Sequence, residues 1–168
     1  MALYTGIRIG ELCGLKWEDV DNDSIKIKRT VQRLKSDTKN KTMVCVGSPK
    51  TSTSIRTIPI PSFFKKTVSS FKEISTEEYV LGTSKLPLIE PRVLQWKFKK
   101  YLVEANIENA NFHSLRHTFA TRSVECGFDA KSLSEILGHA NVQTTLNKYV
   151  HSSFQLKAEN MNKLEKIL

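Results

Sequence analysis

Between His113 and Tyr149 the chain carries its own punctuation, which leaves few folds open. Gly127 can stop one helix and Asp129 can cap the next. Gly138 can end that second helix as a left-handed residue after Leu133, Ile136 and Leu137. Asn141 then offers a cap for a short third helix that carries Tyr149. Into this frame the sequence sets three of its four histidines, His113, His117 and His139, with Arg116 among them. On a helix, His113 and Arg116 project from one face a turn apart. His139 directly follows the helix-ending glycine, where a departing chain can aim a side chain inward.

The N-terminal segment has a similar rhythm. Ala2 to Tyr4 read as a helix end broken at Thr5-Gly6, and a short helix follows with Ile9, Leu12 and Cys13 inward and Arg8 opening it. Glu11 lies three residues after Arg8, and by spacing alone the two are a surface ion pair of little weight. Ile25, Ile27 and Val31 alternate with Lys26, Lys28 and Thr30, as a half-buried strand should. Met43 to Val46 and Ile55 to Ile60 read as two further strands, the last closed off by Pro59 and Pro61. Three short strands in sequence predict a small three-stranded antiparallel sheet beside a mainly helical body, an α+β class. An amphipathic helix is expected from Ser62 to Ile74, with Phe63, Phe64, Val68 and Phe71 on its apolar face. Another begins at Pro91, with Leu94, Phe98, Tyr101, Leu102 and Ala105 on one stripe and Arg92, Lys97, Lys99 and Lys100 on the other face. A last amphipathic helix is expected between Phe154 and Leu168, too short to be stable unless it docks, in cis or on a neighbouring subunit.

A length of 168 residues predicts one domain with a proper core. The net charge of +9 favours a polyanionic partner, although a solubility effect or an anionic membrane surface would carry the same sign. From Lys26 to Lys66 the basic residues face Asp37 as the one acid, so something negative should lie against that block. Three cysteines without a CxxC pair argue for free thiols rather than a disulfide framework or a cysteine zinc site. No run approaches a membrane span and no signal peptide is visible, which makes a cytoplasmic protein the default.

Four stretches, in this order, resemble the tyrosine recombinases, the phage integrase family: TGIRIGEL from Thr5 to Leu12, SPKTSTSIRTIPI around Lys50, HSLRH from His113 to His117, and LGH from Leu137 to His139 followed by Tyr149. The resemblance covers nearly the whole chain and implies the fold of that family's catalytic domain over residues 1–168. It implies that Arg8 and Arg116 clamp a DNA phosphate and that Tyr149 attacks it, leaving a 3′-phosphotyrosyl link. His113 would handle the proton near the tyrosine, Lys50 would protonate the leaving oxygen, with Lys39 and Lys41 as its nearest rivals, and His139 would hydrogen-bond a phosphate oxygen. His117 would support the site. Neither metal nor nucleotide cofactor is implied, and the partner is double-stranded DNA, on which the full-length protein would assemble as a tetramer while the free piece stays monomeric. Integration or excision of a mobile element is the implied role. The family's N-terminal core-binding domain and the first helices before TGIR are missing here, so a piece of a longer protein is expected.

Other readings of the same residues stay open at this point. His113, His117 and His139 could serve a zinc hydrolase. Tyr149 shares a stripe with Val142 and Leu146 and could be a half-buried core tyrosine. A basic DNA-binding module without catalysis would show the same charge.

Overall fold

The structure, a computed structural model, describes residues 1–35, 42–49, 51–149, 158 and 161–162. Two short helices open the chain, α1 (Ala2–Thr5) and α2 (Ile9–Cys13). Four strands follow: β1 (Ser24–Ile27), β2 (Thr30–Lys35), β3 (Thr42–Gly47) and β4 (Arg56–Pro59). The rest is helical, with α3 (Ser62–Ile74), α4 (Pro91–Glu104), α5 (Phe112–Glu125), α6 (Ala130–Leu137) and α7 (Val142–Tyr149). The expected final helix lies almost wholly outside the described residues.

The antiparallel sheet exists, but as two two-stranded ladders, β1 with β4 and β2 with β3, rather than three strands side by side. The run from Ile25 to Val31 breaks because its next inward position is Arg29. That guanidinium turns instead to Asp19, which is 1% exposed in a 3₁₀ turn at Trp17–Asp19, and Lys28 joins it at 2.7 Å. Two cations drawn to one buried carboxylate bend the backbone out of the ladder.

Acids from outside the basic block neutralise much of it. Lys26 pairs with Asp21, Arg33 with Glu90, Lys65 with Asp23 and Arg56 with Glu11. The negative partner that the composition of this segment calls for is therefore supplied in part by the protein itself.

Ile25, Ile27 and Ile58 meet Ile7, Leu12, Leu15 and Val20 in the larger core, and Phe112 joins them from α5. The apolar faces of α3 and α4 are used less fully than their patterns predict. Val68 is buried, but Phe63, Phe71 and Tyr101 stay exposed. A smaller core of Ala120, Leu133 and Leu137 joins α5 to α6, with Phe119 and the Tyr149 ring packed on it.

Gly6 brings the two halves together. It ends α1 at φ +61°, and a Cβ there would lie 2.6 Å from the Phe119 ring and 2.8 Å from Leu137. Gly6→Ala should therefore cost about 2–4 kcal/mol, combining left-handed strain with overpacking. A lower urea midpoint at an unchanged m value is the expected result. A loss well below ~1 kcal/mol would mean that Phe119 and Leu137 yield freely, contrary to the tight contact at Gly6.

Candidate functional site

The phase of α5 is set by its first residue. The Asn111 side chain accepts from the backbone N–H groups of His113 (2.9 Å) and Ser114 (3.2 Å), and Ser114 Oγ accepts from Asn111 N (3.1 Å). This reciprocal capping box starts the helix at Phe112 and puts His113, Arg116 and His117 on the side facing α1, α6 and α7.

Arg116 is buried, 2% exposed, and donates to Gly6 O and Leu137 O, each at 2.7 Å. Arg8, the residue before α2, donates from Nη2 to Gly138 O at 2.9 Å and from Nη1 to Glu11 Oε1 at 2.8 Å. Arg56 on β4 donates to Ile136 O at 2.6 Å and holds both oxygens of Glu11, at 3.0 and 2.9 Å. Three consecutive carbonyls at the end of α6 thus receive three arginines. Those carbonyls lack helical partners and lie at the negative end of the helix dipole. Gly138, left-handed at φ +64°, turns the chain so that the last carbonyl can join them, and a Cβ there would meet Arg56 at 2.9 Å.

One carboxylate serves this cluster. Burial alone would raise the Glu11 carboxyl, but Arg56 and Arg8 outweigh burial and hold it below its ordinary value. Burial lowers the Arg116 guanidinium, and Arg8 and Arg56 add to that effect, yet a guanidinium remains charged at neutral pH. The arrangement keeps more positive than negative charge among its buried and half-buried groups.

His139, next after Gly138, shares a hydrogen bond between its Nδ1 and the buried Thr145 hydroxyl at 2.8 Å. Burial, and then Arg116, Arg8, Lys148 and Arg56, push its pKa from 6.5 down to about 4, so the ring is neutral at pH 7. The Tyr149 hydroxyl is 2.9 Å from His117 Nδ1, and the His113 ring stands edge-on to His117 at 4.5 Å. Burial raises the Tyr149 pKa, with Arg116 opposing it, and the phenol keeps its proton at neutral pH. Burial and the neighbouring His117 and Arg116 lower His113.

Two clefts meet at Arg8. One of about 330 Å³ is lined by Arg8, Trp96, Phe98, His113 and Arg116. The other, of about 440 Å³, is lined by Arg8, Gln32, Pro49, Thr51, Gly138 and His139.

Of the residues expected in the site, Arg8, Arg116 and His139 gather around the end of α6, with His113 lining the same cleft as the two arginines. The phenol of Tyr149 meets His117, the residue expected only to support the site, and not His113. Lys50 lies outside the described residues, although its neighbours Pro49 and Thr51 line the second cleft. The pair of Arg8 and Glu11 is real but not superficial, since Glu11 is 3% exposed. The Tyr149 ring packs on the smaller core, as the half-buried reading of its stripe expects, while its hydroxyl reaches His117 Nδ1. Among the described residues, no group of three His, Cys, Asp or Glu side chains is placed to hold a metal ion. Sequence reasoning missed Arg56 and Thr145. The spacing of Asn111 and Ser114 was a signal for the helix start; for Thr145 there was none.

Residues 1–156 match the Phage integrase family. The chain is 35% identical, over 90% of its length, to a protein named tyrosine recombinase XerC-like from Caldanaerobacter subterraneus, and covers 44% of that relative. It is 31% identical, over 98% of its length, to the transposase from transposon Tn916 of Enterococcus faecalis, again covering 44%. The chain thus spans less than half the length of these curated relatives. Among solved structures, the Tn1549 transposon integrase in complex with circular intermediate DNA superposes with a TM-score of 0.81 at 25% identity, over 97% of this chain and 57% of that one. XerA recombinase superposes with a TM-score of 0.66 at 26% identity, over 96% and 55%. With that agreement along nearly its full length, and with the arginines of both motifs meeting on one helix end, the chain belongs to the phage integrase family of tyrosine recombinases.

Proposed function

We propose that this chain is the catalytic domain of a site-specific DNA recombinase, which cuts and rejoins double-stranded DNA during integration or excision of a mobile element. The observation that carries the reading is the meeting of Arg8 and Arg116 on the adjacent carbonyls of Gly138 and Leu137. Each guanidinium has five donors, and the bonds described leave some of them over on both. Two fixed cations beside a cleft suit a phosphodiester, whose transition state spreads negative charge over its non-bridging oxygens.

In this reading Tyr149 Oη bonds to phosphorus as the bond to the 5′ oxygen breaks, leaving a 3′-phosphotyrosyl link and a 5′-hydroxyl. The phenol must lose its proton. His117 is its resting partner, and His113, behind that ring, handles the proton once substrate is bound. Lys50 protonates the leaving oxygen, a role supported by the place of Pro49 and Thr51 in the cleft bordered by Arg8 and His139. His139 donates to a phosphate oxygen. Religation reverses the steps, and neither metal nor nucleotide takes part. The relatives named transposase and the neighbour solved with DNA support a mobile-element role. The reading also implies a tetramer of the full-length protein on DNA, a monomeric free domain and action in the cytoplasm. No helix among the described residues is long and apolar enough to cross a membrane.

Incubation with nicked duplexes of candidate attachment sites should yield a protein–DNA adduct on denaturing gels. Tyr149→Phe should abolish that adduct while DNA binding is retained, and an adduct that survives the substitution would remove Tyr149 as nucleophile. Binding without any adduct from the wild-type chain would favour the non-catalytic DNA-binding module. Arg8→Ala should slow adduct formation about 100- to 1,000-fold, the usual loss for a donor to developing charge.

The titration of His139 gives a second test. Its folded pKa of about 4 lies below the ordinary 6.5, so between these values the unfolded chain binds a proton that the folded chain refuses. Stability should therefore be full above pH 6.5 and fall as the pH drops towards 4. His139→Gln should flatten the urea midpoint against pH in that window; an unchanged slope would assign the acid sensitivity to other groups.

A further inference from the structure

We propose that Thr145 is a positioning residue that holds His139 in the Nε2–H tautomer, presenting an N–H donor to the anion shared by Arg8 and Arg116. That the anion is a DNA phosphodiester rests on the function proposed above; the tautomer does not.

Hydrogen-bond accounting supports the assignment. The Thr145 side chain is fully buried, at 0% exposure, and its hydroxyl lies 2.8 Å from His139 Nδ1. Two arrangements fit that distance. If Nδ1 carried the ring proton, the threonine oxygen would accept it. The hydroxyl proton would then have no acceptor among the described residues, on a side chain with no exposed surface, which is the costly arrangement. If the hydroxyl donates instead, Nδ1 accepts, the buried hydroxyl is satisfied, and the ring proton of the neutral imidazole must sit on Nε2, which is left free to donate into the cleft. The charges that act most on the ring, Arg116, Arg8, Lys148 and Arg56, are all cationic and oppose a second ring proton, although Glu11 and Glu135 line the clefts that His139 borders. His139 lines the cleft bordered by Arg8 and Gly138, where an N–H donor adds to the arginines without adding a charge.

The helix makes this economical. Thr145 and Tyr149 are four residues apart on α7, so both project from one face. One turn of helix fixes the histidine after α6, and the next brings the phenol to the histidine on α5. An orienting group that fixes a tautomer in this way controls which ring nitrogen can donate.

The test uses the 168-residue chain labelled with ¹⁵N-histidine, near pH 7, with His139 assigned by the signal missing from His139→Gln. Long-range ¹H–¹⁵N correlation should show a protonated Nε2 and an acceptor Nδ1 in the wild-type chain. Thr145→Val, which keeps the shape and removes the hydroxyl, should lose that bias, and Thr145→Ser should restore it. A wild-type Nδ1–H tautomer, or a pattern unchanged in Thr145→Val, overturns the proposal. On a nicked duplex, Thr145→Val should slow adduct formation about tenfold, roughly the weight of one hydrogen bond, with DNA affinity unchanged and the serine variant near wild type. A valine variant that loses the tautomer but cleaves at the wild-type rate overturns the donor role. A wild-type chain that forms no adduct counts against the phosphodiester reading, while the NMR result still decides the tautomer.

Discussion

Three carbonyl oxygens at the end of one short helix determine how this protein is put together. Ile136, Leu137 and Gly138 each accept from a different arginine: Arg56 from a strand, Arg116 from α5 and Arg8 from the start of α2. Every helix leaves such carbonyls without partners, and in most helices water or a cap satisfies them. Here they are spent on side chains far away in sequence, with separations of up to 130 residues. The helix end acts as a template that orders guanidinium groups before any substrate arrives. Preorganised donors need no rearrangement when charge develops, which is why such sites stabilise transition states.

That template requires a balance of charge. Cations held close together repel, and Glu11 limits the repulsion by taking Arg8 on one oxygen and Arg56 on both. With one carboxylate among three guanidiniums, the repulsion is limited but not removed, and the remaining positive potential faces the clefts that meet at Arg8. The carbonyl contacts are neutral acceptors, so they orient the arginines without cancelling them.

Much of the fold was legible because local signals are decided by near neighbours. Asp129 caps α6 through Ser132 N, Gly138 takes the left-handed turn, and α3 keeps its expected bounds from Ser62 to Ile74. The strands were less legible. The alternation from Ile25 to Val31 looks continuous until the Asp19 carboxylate, buried by a separate turn, draws Lys28 and Arg29 away from the ladder. The basic segment looks uncompensated for the same reason, since the acids that answer it come from Asp21, Asp23, Glu11 and Glu90 outside it. Phe63 and Phe71 illustrate a further limit. Periodicity marks an apolar face, but only a neighbouring layer buries it.

By itself the sequence determined the bounds of α3 and the caps of α6, which motifs the chain carries in which order, and so the family to which it belongs. Those follow from backbone capping, glycine conformation and residue identity, all local properties. Only the tertiary structure decided which groups meet: that Arg56 joins the arginine cluster, that the phenol of Tyr149 lies against His117, and that a buried threonine sits on the ring of His139. These contacts join side chains from different helices and strands, and their geometry is fixed by how the helices pack, which no short stretch of sequence encodes.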